Sequence, residues 1–282
     1  MPAEIAKIIL KNKTLRWSSP LEFNDPFDIP REIAVNISHE TLKEASASKF
    51  IELIENPPET TDHLDPRIKH LVDATKHKAT PEMKEELIRK IRAEEFDPSQ
   101  GENGLDMLRL MWRQMIPLFR ILCLSERYDV ISMWLHYADK YKGVVIELLC
   151  DDNLDSAWLI AKAVKYGKPK LDLFDASGWA ELLVLPHDDR LNMMYDTLMY
   201  SKSEDWKYER EWRITSTAKH GETRTISDYE FDSREIGRIF LGPHINKTDK
   251  TDLLDIIDEF PNSTVYESNI GIGRNFTFTK IS

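Results

Sequence analysis

The sequence predicts an α+β fold: a mixed central sheet with an inserted helical cap. Short apolar runs of strand type, among them 119–125, 143–148 and 236–241, do not alternate regularly with helical segments, which disfavours a doubly wound architecture. A Lys- and Glu-rich block of helical periodicity, residues 38–98, interrupts the early part of the chain. Apolar content of 41% and charged content of 31% over 282 residues fit a globular protein with a real core. One domain over 1–282 is expected, with 38–98 inserted into it.

The elements follow in order. Residues 3–10 read as a short amphipathic helix with Ile5, Ile8 and Ile9 at helical spacing. Residues 14–18 read as a strand that Ser19-Pro20 breaks, and Asn24-Asp25-Pro26 makes a tight turn. In the helical block, Leu42, Ala45, Phe50, Leu53 and Ile54 form one stripe, and Met83, Leu87, Ile88 and Ile91 another. Pro57-Pro58 and Thr80-Pro81 separate its helices, and Pro81 suits a first helical turn. Residues 97–104 read as a linker, and 105–116 as a helix whose Met107, Met111 and Met115 are expected as core filler. Further helices are expected at 131–138, 191–200 and 250–259. Further strands are expected at 161–166, 209–216, near Val265 and at 276–279.

A net charge of -11 argues against a broad nucleic-acid surface and against an anionic membrane. No run is long and apolar enough to span a membrane, and Glu4, Lys7, Lys11 and Lys13 interrupt any leader-like segment. Cys123 and Cys150 lie in apolar runs without metal-binding spacing and read as buried reduced thiols, which suits a cytoplasmic location.

The segment Trp206-Lys207-Tyr208-Glu209-Arg210-Glu211-Trp212-Arg213 concentrates the chemistry. As a strand it puts Tyr208, Arg210 and Trp212 on one face and Glu209, Glu211 and Arg213 on the other. Two neighbouring carboxylates repel unless a cation, a metal or a polarised substrate needs them. Alternatively, Arg213 simply neutralises the pair or, in a helix, forms an i,i+4 pair with Glu209. Around His136, the helical spacing groups Ser132, His136 and Asp139 on one face, and a hydrogen-bonded core histidine is the favoured reading. No phosphate loop, Gly-x-Ser-x-Gly elbow or His-Glu-x-x-His metal helix is present. Gly271-Ile272-Gly273 is a poor phosphate-loop candidate, and no metal site is assigned.

Several segments in this order resemble a widespread prokaryotic family of unknown function. They are Leu15 to Asp28 with Ser18-Ser19-Pro20 and Phe23-Asn24-Asp25-Pro26-Phe27-Asp28, Leu124-Ser125, Met133-Trp134 through Tyr137-Ala138, Gly143, and Trp206 to Arg213. The order of elements is also similar to the ADP-ribosyltransferase-like superfamily: an early strand with Arg or His, a middle strand ending in Ser or Tyr before a helix, and a late strand with a catalytic Glu. That resemblance implies Glu211 as the catalytic carboxylate and Glu209 as its companion. It implies NAD as substrate, contacted by Arg16, Ser18, Ser125, Trp134, His136, Tyr137 and Arg213. Trp134 or Tyr137 would stack on nicotinamide and Arg16 would hold a phosphate. A carboxylate bonded to a ribose hydroxyl binds more tightly as positive charge develops on the ring. The implied role is transfer of ADP-ribose to a macromolecule, or NAD hydrolysis, in a toxin or phage-defence effector. Related chains carry a Tyr-Lys-Tyr-type strand ahead of the first helix. Here Met1-Pro2 lead almost directly into that helix, so NAD binding is expected to suffer if the strand makes the first contact.

Two alternatives belong to other classes. One is a metal-dependent nuclease using Asp25, Asp28, Glu209 and Glu211. The other is a non-enzymatic sensor or scaffold in which these clusters are core and ion-pair structure, with the helical insertion as a protein-partner surface.

Overall fold

A computed structural model of the chain describes residues 1–33, 37–93, 98–168, 173 and 175–281. The fold is mixed α+β. The helices are α1 (Ala3–Asn12), α2 (His39–Glu55), α3 (Pro66–Lys78), α4 (Pro81–Ala93), α5 (Pro98–Met115), α6 (Ile131–Tyr137), α7 (Ala176–Leu183), α8 (His187–Tyr200) and α9 (Lys247–Ile257). The strands are β1 (Thr14–Ser18), β2 (Phe119–Ser125), β3 (Val144–Leu148), β4 (Lys162–Ala163), β5 (Lys165–Tyr166), β6 (Ser201–Lys202), β7 (Glu211–Thr217), β8 (Ile226–Glu230), β9 (Ile236–Leu241), β10 (Thr264–Ile270) and β11 (Phe276–Lys280). The chain divides into two compact units, one of residues 1–25, 116–164 and 202–282, the other of residues 26–115 and 165–201.

The first unit holds two larger sheets where the sequence predicted one central sheet. A five-stranded antiparallel sheet runs β4-β7-β2-β1-β8, and a four-stranded sheet runs β11-β10-β9-β3 with only β9 and β10 parallel. Ser18 opposite Ile121 and Ile121 opposite Thr215 fix the register across β1, β2 and β7. Alternation then turns Leu15, Trp17, Leu122, Leu124 and Ile214 into one apolar face, all belonging to the main core with α1 and α9. The opposite face carries Arg16, Ser18, Cys123, Ser125, Glu211 and Arg213. On the four-stranded sheet, Trp134 and Ala138 of the α6 segment pack on Phe240 within a cluster of Tyr128, Tyr266, Phe276 and Phe278.

Helix α1 buries Ala3, Ala6, Ile9 and Leu10, while Ile5 and Ile8 are exposed. The buried stripe is therefore rotated from the predicted one, because two small alanines allow close approach to α9. Gly242 closes a tight corner after β9. A Cβ there would lie 2.2 Å from the Tyr141 carbonyl oxygen and 2.7 Å from that of Gly143. Gly242→Ala is expected to destabilise the protein by about 1–3 kcal/mol, read as a lower urea midpoint with unchanged slope.

The second unit is mainly helical and extends beyond the predicted 38–98 block, because α7 and α8 belong to it. Leu53 of α2, Leu64, Val72 of α3 and Val184 form its small core with Phe50 and Ile68. Lys49 of α2 bridges Glu181 of α7 at 2.6 Å. The α4 stripe is only half-buried at Leu87, Ile88 and Ile91, and Met83 is exposed. The predicted linker starts at Asp97, outside the described residues, and the chain is helical from Pro98. On α5, Trp112 turns inward and donates its indole N–H to the Pro30 carbonyl at 2.8 Å, which leaves Met107, Met111 and Met115 exposed rather than filling a core.

Candidate active site on the polar face of the five-stranded sheet

Residues Glu204–Glu209 form a 3₁₀ turn that ends at Arg210 in the left-handed region (φ 44°), so β7 begins at Glu211, two residues later than predicted. Ser203 caps the turn by accepting from the Asp205 N–H. Ser125, at the end of β2 and opposite Glu211, donates its hydroxyl to the Glu209 carbonyl at 2.7 Å and so pins the turn to the sheet. Glu209 and Glu211 converge despite the turn.

Both carboxylates are buried, at 3% and 5% exposure, and both are paired. Lys202 bridges them, 2.6 Å from Glu209 Oε2 and 2.9 Å from Glu211 Oε2. Arg213 grips Glu211 through Nε at 2.6 Å and Nη2 at 3.0 Å. The Tyr137 hydroxyl donates to Glu209 Oε1 at 2.6 Å. The result is a sheltered cluster of two anions and two cations, with Trp206 flanking Lys202 and Phe23 flanking Arg213. Burial pulls the Glu211 carboxyl upward, but the Arg213 hydrogen bond, the charges of Arg213 and Lys202, and Cys123 outweigh it and leave it below the usual carboxylate range. Burial first, and the bond to Glu209 second, push the Tyr137 phenol far above its ordinary value. Tyr137 is 43% exposed and so connects the cluster to solvent.

Arg213 therefore neutralises, as one sequence alternative had it, but it does so on Glu211, from the strand. Lys202, at the start of the 202–213 block, was given no role in the candidate site. Its signal was electrostatic: two carboxylates facing one guanidinium leave one positive charge to be found. Arg210 and Trp212 do share the other side, both reaching Glu126, at 2.7 and 3.4 Å.

The remaining predicted residues disperse. Arg16 and Ser18 lie on the same sheet face, but Arg16 pairs with Asp228 on β8 at 3.2 Å. Trp134 is 1% exposed and donates to the Tyr128 carbonyl at 2.7 Å, so it belongs to the core and offers no stacking surface. His136 is exposed rather than a core histidine, because the buried side of α6 is the Trp134 side. Cys123 and Cys150 are both exposed, correcting their reading as buried thiols: Cys123 lies on the polar face opposite Arg213, and Cys150 follows the end of β3. Gly271 and Gly273 lie in the turn between β10 and β11. Among the described residues, no group of three or more His, Cys, Asp or Glu side chains is placed to hold a metal ion, and no helix is long and apolar enough to cross a membrane.

The segment from α6 to β7 carries Tyr137, Lys202, Glu209, Glu211 and Arg213. Residues 133–214 match the family model of DUF2971, proteins of unknown function. The DUF2971 match thus spans every side chain of the ion cluster, while Arg16, Ser18 and Ser125 lie outside it. It covers well under half of the chain. No curated protein and no solved structure matches the sequence.

Proposed function

We propose that the polar face of the five-stranded sheet is an ADP-ribosyltransferase-like site that acts on NAD, with Glu211 as the catalytic carboxylate. The observation that supports this reading is the strand order β7-β2-β1, in which the strands of Glu211, Ser125 and Arg16, residues the resemblance implies, are neighbours. In the proposed reaction the nicotinamide–ribose C–N bond breaks, and its electron pair leaves with nicotinamide. The acceptor's nucleophile bonds to the ribose carbon and loses its proton. Glu211, held ionised by Arg213, accepts a hydrogen bond from a ribose hydroxyl and opposes the positive charge developing on the ring. Tyr137 holds Glu209 in place at the solvent edge. Lys202 must yield an oxygen of Glu211 to the substrate, since that carboxylate is otherwise fully engaged. The acceptor is a macromolecule, and a toxin or phage-defence setting accords with this chemistry.

That engagement favours a second reading. A buried, charge-balanced cluster is what a non-enzymatic sensor or scaffold needs of these residues. The nuclease reading gains nothing from the geometry, because Lys202 occupies the space between the two carboxylates.

Melting curves with and without NAD separate the two. A site that binds NAD raises the melting temperature progressively with NAD concentration, by the mass-action law for a ligand of the native state. An unchanged melting temperature at millimolar NAD favours the scaffold.

A further inference from the structure

Strand β11 forms one edge of the four-stranded sheet, and among the described residues no strand pairs with its outer side. Its sequence, Phe276-Thr277-Phe278-Thr279-Lys280, alternates aromatic and hydroxyl side chains and ends on a cation. Pairing with β10 runs without a shift from Ile270 opposite Phe276 to Tyr266 opposite Lys280. The aromatic side is anchored: Phe276 lies 5.2 Å from the Trp134 ring, and Phe278 meets Phe240 edge-on at 5.1 Å. Thr277, Thr279 and Lys280 are exposed. A straight edge strand without a proline, a bulge or a central charge is a template for pairing with another strand.

The hydrogen-bond ladder determines which groups are on offer. Gly271 donates its N–H to the Asn275 carbonyl, and Ile281 donates to the Val265 carbonyl. Residues that bond to a neighbour alternate along an antiparallel strand, so Asn275, Thr277, Thr279 and Ile281 turn their backbone groups toward β10. The N–H and C=O groups of Phe276, Phe278 and Lys280 therefore point outward. An antiparallel partner must set its own outward-pointing residues opposite these.

We propose that this edge pairs with the same strand of a second copy of this chain, antiparallel and centred on Phe278. Phe278 then faces Phe278 of the second copy, and Phe276 faces Lys280 on either side of it. On the opposite face of the sheet, Thr277 faces Thr279. Each combination is favourable: aromatic on aromatic, cation on aromatic, and hydroxyl on hydroxyl. The sequence selects this register. Centring the pair on Thr277 would set Lys280 opposite Arg274, a like charge. Centring it on Thr279 would carry Phe276 beyond the end of the partner strand at Lys280. With Phe278 at the centre, every outward N–H and C=O of both strands is paired, and the two four-stranded sheets become one continuous sheet. The contact is small, so a dissociation constant between about 1 and 100 µM is expected.

Sedimentation velocity on the full chain, from about 1 to 500 µM at 0.15 M salt, tests this; that salt screens the repulsion between two chains of net charge -11. A monomer–dimer equilibrium is expected. The double variant Thr277→Lys with Thr279→Lys sets like charges face to face and is expected to weaken the dimer at least about tenfold. Thr277→Glu with Thr279→Glu is expected to do the same. Mixing the two variants sets Lys against Glu and is expected to restore pairing as a mixed dimer. Both threonines are exposed, and melting curves check that each variant is folded. Lys280→Pro removes an outward N–H and leaves the bonds to β10 in place. It is expected to weaken the dimer by a similar factor and remains informative should the threonine variants unfold. A monomer across the whole concentration range overturns the proposal. So does a dimer that these substitutions leave intact, or a mixture that fails to recover what the separate variants lose.

Discussion

Replacing Lys202 with methionine is expected to destabilise the protein by about 3–5 kcal/mol, the usual cost of removing one member of a buried ion pair and stranding the other. Lys202 is 8% exposed and is the cation that Glu209 and Glu211 share. Without it, the remaining guanidinium faces two buried carboxylates, and Glu209 keeps the Tyr137 hydroxyl bond. Adding Glu209→Gln to Lys202→Met is expected to recover part of the loss, because it removes the stranded charge. Urea unfolding at neutral pH measures both effects, and a cost under about 1 kcal/mol would reduce Lys202 to the value of a surface pair.

The pH dependence has a definite sign. Glu211 is held below its usual value in the folded state, so the unfolded chain binds the proton more readily. The stabilisation from Glu211 is fully present above the ordinary carboxylate value and is lost as pH falls through its lowered folded value. Wild-type stability should therefore decline on acidification through and below the ordinary carboxylate range. Glu147, lowered chiefly by its hydrogen bond to Arg238, adds a loss of the same sign.

The second large effect concerns chemistry. Glu211→Gln is expected to reduce nicotinamide release from NAD by about 10²–10³-fold, the scale of losing one well-placed electrostatic partner of a transition state. The amide keeps the shape but carries no charge to oppose the oxocarbenium-like ring, and it loses its ion pairs to Arg213 and Lys202. Tyr137→Phe is expected to have a smaller effect, because Tyr137 acts through Glu209. Its melting temperature must be compared with the wild type, so that lost packing is not counted as lost catalysis.

Much of this site was legible in the residues. Alternation grouped Glu209, Glu211 and Arg213, and the three are together even though a 3₁₀ turn replaces the start of the predicted strand. Ser125 and Tyr137 were named through resemblance as NAD contacts; in the structure each bonds to Glu209, Ser125 to its backbone carbonyl and Tyr137 to its carboxylate. Lys202 was missed because a turn brings it back, and sequence spacing carries no record of that return. Trp134 and His136 were exchanged in role: both lie within three residues of Tyr137, but the Trp134 side of α6 meets the aromatic cluster of β9 and β11. The same limit affected α1 and α5. Helical period revealed an amphipathic stripe in each, but which residues face inward depends on packing partners far along the chain, such as α9 for α1. The division of the strands into two sheets likewise depends on long-range pairing, which short apolar runs do not encode.

In the proposed function, Glu211 acts on NAD. The direct measurement is nicotinamide release by purified wild-type and Glu211→Gln proteins of verified fold, assayed side by side with cell lysate as acceptor. Release by the wild type that falls by at least about a hundredfold in the variant is the predicted result. Equal release from both, or none from a folded wild type, would contradict it and leave the buried ion cluster as architecture.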